Sequence, residues 1–116
     1  MELKSHDFYP NGRIKNPHIV VNNKPGMLLV KADWCGHCKR FMPTYQKLQR
    51  RLGNNFPCAY IDESNMTNEL SNALNVRGFP TIIFFDKYGR IIEQYEGPRE
   101  EGQLMKKIDE MYHKYR

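Results

Sequence analysis

Met27-Leu28-Leu29-Val30-Lys31-Ala32-Asp33-Trp34-Cys35-Gly36-His37-Cys38-Lys39 is the stretch on which the fold turns. Its first four residues form a continuous apolar run of strand length, the pattern of a central strand covered on both faces. That strand delivers the chain directly to a Cys-x-x-Cys pair. Beyond Cys35 the apolar positions Phe41, Tyr45, Leu48 and Leu52 recur every three or four residues, which predicts an amphipathic helix with Gly53 as its stop. Pro43 lies inside this helix, predicting a kink and the loss of one backbone donor.

Downstream, Phe56 to Ile61 suits a second strand. Asn65 or Thr67 can cap a short helix containing Leu70, Ala73 and Leu74, which runs out through Asn75-Val76-Arg77-Gly78. Thr81-Ile82-Ile83-Phe84-Phe85 reads as a third buried strand, Lys87-Tyr88-Gly89-Arg90 as a turn, and Ile91 to Tyr95 as a hairpin partner. Pro98 suits the first turn of a last helix, with Leu104, Ile108, Met111, Tyr112 and Tyr115 on one apolar face. This order predicts an α/β fold with a central mixed β-sheet flanked by helices. Upstream, Pro10, Gly12, Pro17, Pro25 and Gly26 interrupt every helical pattern, so residues 1–26 read as irregular. Only Ile19-Val20-Val21 there suits a short strand. With no repeat, low-complexity segment or second domain, residues 1–116 read as a single domain with its core in 27–116.

A chain of 116 residues with 40% hydrophobic and 27% charged content fits one globular domain. No run approaches the roughly 18 apolar residues of a membrane span, and the opening Met1-Glu2-Leu3-Lys4-Ser5-His6-Asp7 lacks the apolar stretch of a secretory signal. The expectation is a cytoplasmic protein with no membrane association; an endoplasmic reticulum or secretory location would follow if a leader had been removed. The net charge of +5, from 18 Lys and Arg against 13 Asp and Glu, is dispersed in short clusters such as Arg50-Arg51 and Lys106-Lys107. Those clusters fit a solvated helix face, and no nucleic-acid motif accompanies them, so nucleic acid is not an expected partner. A mild preference for acidic partners is the more modest reading.

Three cysteines are too few and too close for a disulfide-stapled scaffold, and the Cys35–Cys38 spacing points instead to redox chemistry or metal binding. At the first turn of a helix, unpaired N–H groups and the positive end of the dipole favour a thiolate. Cys35 is therefore the expected nucleophile. It attacks a substrate disulfide to form a mixed disulfide, which Cys38, one turn on, attacks to release reduced substrate. Gly36 and His37 lie between the sulfurs, where an imidazolium or an added N–H donor would stabilise the Cys35 thiolate and make the disulfide more oxidising. The exchange requires neither a metal nor an organic cofactor. A structural zinc site would need two further ligands, and only Cys58 and scattered histidines remain.

Trp34-Cys35-Gly36-His37-Cys38-Lys39, then Pro43, and later Gly78-Phe79-Pro80-Thr81 resemble the thioredoxin superfamily, the Cys-Gly-His-Cys form being that of protein disulfide isomerase domains. Thioredoxins proper carry Pro at the place of His37. The resemblance covers Met27 to Tyr112. It implies a cis Phe79-Pro80 bond facing the sulfurs, with Phe79 and Pro80 forming a backbone edge on which an extended substrate pairs. Trp34 would be a flat surface beside the nucleophile, a core-packing residue, or both. Implied partners are protein substrates with disulfides or dithiols and a redox partner, whether a reductase, an oxidase or glutathione; the protein is expected to be a monomer.

The sequence also departs from the family. Six residues before Cys35, where relatives hold a buried carboxylate thought to take the proton of the second cysteine, stands Leu29. Lys31, on the same strand face by alternation, and Asp33 are the ionisable residues nearby. Lys31 is expected to add positive potential near the sulfurs. The first 26 residues do not match the family's opening strand and helix. Cys58, in the second strand, reads by default as a small buried hydrophobe. The alternative function is a thioredoxin-fold interaction module without turnover, against which the intact cysteine pair argues. Direction stays open: Cys-Gly-His-Cys favours oxidation or isomerisation, whereas a cytoplasmic address favours reduction.

Overall fold

The computed structural model describes residues 1–20 and 23–116. In chain order its elements are β1 (Glu2–Leu3), β2 (Gly26–Lys31), α1 (Gly36–Leu52), β3 (Cys58–Asp62), α2 (Asn68–Ala73), β4 (Thr81–Phe85), β5 (Ile91–Tyr95) and α3 (Glu101–Tyr115). They form one sheet in the order β1-β3-β2-β4-β5. β3 runs parallel to both β1 and β2, β4 is antiparallel to β2, and β5 is antiparallel to β4, giving the expected mixed sheet.

Strand alternation explains the two-sided core. Met27 and Leu29 of β2, with Ile82 and Phe84 of β4, pack under α1 and α3 against Phe41, Tyr45, Leu48, Leu104 and Ile108. Their neighbours Leu28, Val30, Ile83 and Phe85 face the other way, onto Leu70 and Leu74. A helix as short as α2 cannot cover that face alone. Phe8, Ile14 and Ile19 from the N-terminal segment complete it, all three buried.

The N-terminal segment is thus more ordered than its sequence suggests. Glu2 and Leu3 pair with Tyr60 and Ile61, making β1 an edge strand. The short strand expected at Ile19-Val20-Val21 does not form where it is described: the Ile19 and Val20 amides both donate to the Asn16 carbonyl, which is a turn. Val21 lies outside the described residues. The Ile14 amide donates to the carbonyl of Gly89 in the β4–β5 turn, where φ of 82° and the Ile14 carbonyl that any added Cβ would strike demand glycine.

Two boundaries differ from expectation, and the structure chooses between the alternatives at a third. β3 begins at Cys58 and not at Phe56, because Pro57 can offer β2 only a carbonyl, which accepts from the Met27 amide at 2.9 Å. Pro98 precedes α3, whose N-cap is Glu100; the Pro98 carbonyl instead accepts from the Tyr95 hydroxyl at 2.6 Å. Of the two possible caps for α2, Thr67 holds the place, its side chain accepting from the Leu70 amide at 3.1 Å, while Asn65 closes a preceding 3-10 turn. Thr67→Ala is expected to cost about 1 kcal/mol, measurable as a lower urea midpoint at unchanged slope. Pro43 lies within α1 on an exposed position. Gly53 ends α1 with φ of 54°. Among the described residues no helix is long and apolar enough to cross a membrane.

Candidate active site

β2 ends at Lys31, and the chain passes through Ala32 and Asp33 to Cys35, the N-cap of α1. The Cys35 amide donates to the Ala32 carbonyl at 3.0 Å and the Cys35 carbonyl accepts from Lys39 at 3.1 Å, so the first helical turn is built around the sulfur. Both sulfurs are free thiols. Cys35 keeps 7% of its surface exposed and Cys38 only 1%.

This difference in burial and donors separates the two thiols chemically. The backbone N–H of Cys38 is the strongest influence drawing the Cys35 thiol below its usual range. Burial opposes it, while the Cys38 thiol, the His37 N–H and the Arg40 guanidinium reinforce it. These are the unpaired donors of a helix N-terminus acting on one sulfur. Cys38 moves the other way, pushed up to about 11, by burial first and then by the neighbouring Cys35 sulfur.

The Phe79-Pro80 peptide is cis, and Phe79 and Pro80 are both half-buried. The Cys35 thiol donates to the Phe79 carbonyl at 3.6 Å, and the Phe79 side chain packs on Ala32, Cys35 and Cys38. Trp34 meets the Phe79 ring edge-on at 5.7 Å, and its indole N–H donates to Glu63 at 2.6 Å. At 66% exposure Trp34 has no core-packing role; it is a braced plate on the surface beside Cys35.

His37 contributes to Cys35 through its backbone N–H rather than its ring. The Arg40 guanidinium lies 2.9 Å from His37 Nδ1, and because guanidinium can only donate, that nitrogen accepts. The ring therefore orients Arg40, one turn on, and Arg40 is the cation acting on the nucleophile. Gly36 supplies backbone to the turn; a Cβ there would meet only Arg40 Nη1, at 3.4 Å.

Leu29 is fully buried, with no carboxylate in its place. Lys31 lies over the Tyr60 ring and pairs with Asp62 Oδ1 at 3.1 Å and Asp33 Oδ1 at 2.6 Å. Burial alone would raise the Asp62 carboxyl, but the Ser64 hydroxyl and amide and the Lys31 ammonium overcome it and hold it at about 2. The pull of Lys31 on the thiols falls on Cys38. Cys58, half-buried, sits opposite Met27 at the far end of β2 from Cys35; its thiol donates to the Phe56 carbonyl at 3.3 Å and burial pushes it up to about 12. No three His, Cys, Asp or Glu side chains among the described residues converge as a metal would require.

Sequence reasoning missed Arg40, Asp62 and Glu63. Arg40 stands three residues after His37, a spacing that places both on one helix face. Asp62 ends β3 and Glu63 follows it, where an Asp two residues before Ser is a turn signal.

The thioredoxin family model matches residues 15–110. The chain is 43% identical over 84 residues to protein disulfide isomerase-like 1-1 of Arabidopsis thaliana, covering 67% of this chain and 17% of that protein. It is 35% identical over 98 residues to a protein disulfide-isomerase of Triticum aestivum, covering 81% of this chain and 18% of that one. The chain thus spans less than a fifth of the length of these two relatives. Among solved structures, the exposed lipoprotein thioredoxin Etrx1 of Streptococcus pneumoniae superposes with a TM-score of 0.68 at 18% identity, covering 76% of this chain and 85% of that one. Fasciola hepatica thioredoxin gives 0.65 at 21%, covering 77% and 82%. Strands β2 to β5, the cysteine pair capping α1 and the cis-proline loop opposite it all fall inside the matched residues, and the chain belongs to the thioredoxin family.

Proposed function

We propose that this chain is a thiol-disulfide oxidoreductase acting on protein substrates. The observation that carries the reading is the asymmetric pair: one sulfur on a helix N-terminus that keeps a small exposed edge, the other more deeply buried one turn behind it. Cys35 thiolate attacks a substrate disulfide, one substrate sulfur leaves as thiolate, and a mixed disulfide forms. Cys38 thiolate then attacks the Cys35 sulfur and expels the second substrate thiolate. Two electrons pass to the substrate, and Cys35 and Cys38 become a disulfide; the reverse sequence oxidises a substrate dithiol. A reductase, an oxidase or glutathione would reset the pair.

Trp34, Phe79 and Pro80 frame the approach to Cys35. Beside the sulfur the Phe79 carbonyl gives an extended peptide a backbone acceptor, in the manner of an added strand. His37 tunes the couple by holding Arg40, and Lys31 acts on Cys38.

Equilibration in graded glutathione buffers with thiol trapping measures the couple. The His37–Arg40 pair and the donors on Cys35 favour the dithiol form, so a potential near the isomerase value of about −180 mV is expected. A value near −270 mV would make the protein a reductase of the thioredoxin kind and the tuning weak. Cysteines that form neither a disulfide nor a mixed disulfide across this range would favour the binding module instead.

A further inference from the structure

The surface around Cys35 is divided by charge. Exposed Asp33 and half-buried Glu63, the latter bonded to the Trp34 indole, lie at the ends of β2 and β3. Arg99 follows β5, on the other side of the β2–β4 pair that presents Cys35 and Pro80. Arg99 lines a shallow cleft of about 160 Å³ with His37, Arg40, Phe41 and Thr44. Farther along α1, Lys47 and Arg51 share Glu101 as an ion-pair partner. Among the described residues, Arg40 and Arg99 have no carboxylate at ion-pair distance. Arg40 is held by the ring of His37, so part of the cost of ordering a cation is already met before a ligand arrives.

We propose that this cleft is a specificity site that receives a carboxylate of the substrate peptide on one side of its reacting cysteine. The proposal rests on the oxidoreductase reading and adds the substrate's charge pattern to it. A substrate with an acidic residue on the Arg40–Arg99 side gains two cationic partners, whereas a basic residue there meets repulsion. On the opposite side Glu63, bonded only to the neutral Trp34 indole, disfavours acid, while Asp33 is already paired with Lys31. The division therefore fixes chain direction across the sulfur as well as composition.

The test uses the reduced 116-residue protein and symmetric peptide disulfides, each consisting of two identical short peptides joined through their one cysteine. Either sulfur then gives the same products, two peptide thiols and one Cys35–Cys38 disulfide. Peptides carry Glu, Gln or Lys immediately before or immediately after the cysteine, and the second-order rate of reduction is read at low and high salt. Glu is expected to exceed Lys by roughly three- to tenfold on one side of the cysteine only, as two exposed charge contacts provide. The preference should shrink in high salt and fall toward unity in Arg99→Gln. Equal rates for all peptides, each well above Cys35→Ser, would overturn the specificity site and leave the oxidoreductase reading standing. A Glu preference unchanged in Arg99→Gln would overturn its assignment to this cleft. No reduction beyond that of Cys35→Ser would overturn both readings.

Discussion

Replacing Cys35 with serine is expected to reduce disulfide exchange to background, while replacing Cys38 with serine leaves the protein held on its substrate as a mixed disulfide. The asymmetry follows from the first turn of α1. Backbone amides converge on Cys35 and Arg40 adds charge, drawing its thiol below the usual range and favouring it as the attacking sulfur. Cys38, at about 11, supplies roughly one thiolate in ten thousand at pH 7. Leu29 offers no carboxylate to take its proton. Resolution is therefore expected to limit turnover and to rise about tenfold for each pH unit between roughly 7 and 9, since more Cys38 ionises as pH increases. Once Cys35 is in the mixed disulfide its charge no longer opposes ionisation, so the rise levels off at a lower pH without changing its sign. Acid-quenched time courses of the mixed disulfide over this pH range provide the check. A resolution rate flat with pH would mean that another group carries the proton of Cys38.

The parts of the fold legible in the sequence were those whose signals are local. A buried strand announces itself as an apolar run, so β2 and β4 were found within a residue, and α1 was found through its period and its closing glycine. The N-terminal segment was not legible because its buried residues, Phe8, Ile14 and Ile19, follow no period; they were placed by the uncovered face of the sheet. The candidate site divides the same way. Cys35, Cys38 and Pro80 announce themselves by motif. The Arg40–His37 contact, the Trp34–Glu63 bond and the Lys31–Asp62 pair depend on rotamers and on strand register, which spacing alone leaves open. The sequence placed Lys31 near the sulfurs but contained no sign that Asp62, on the neighbouring strand, would stand beside it.

Lys31→Met is expected to lower stability by about 2–4 kcal/mol at neutral pH while leaving the reactivity of Cys35 nearly unchanged. Asp62 has only 5% of its side chain exposed, and Lys31 is its cationic partner; removing that partner strands a buried carboxylate, a change worth about 3–5 kcal/mol in a fully enclosed pair. The two Ser64 hydrogen bonds survive and moderate the loss. Asp33, 81% exposed, adds little, because water screens it. The effect carries a pH signature. Asp62 sits at about 2 in the folded protein against an ordinary 3.8, so its ionised form contributes about 2 kcal/mol above roughly pH 4, and this is lost as pH falls through 2. The deficit of Lys31→Met should accordingly be full at pH 5–7 and narrow on acidification, as urea titrations across that range will show. A deficit independent of pH would assign the loss to the packing of the lysine stem over Tyr60 instead. For the thiols, the pH dependence of alkylation should stay fixed at Cys35, whose cation is Arg40, and move upward at Cys38, where the pull of Lys31 is felt. A shifted Cys35 profile would restore Lys31 as the cation that prepares the nucleophile.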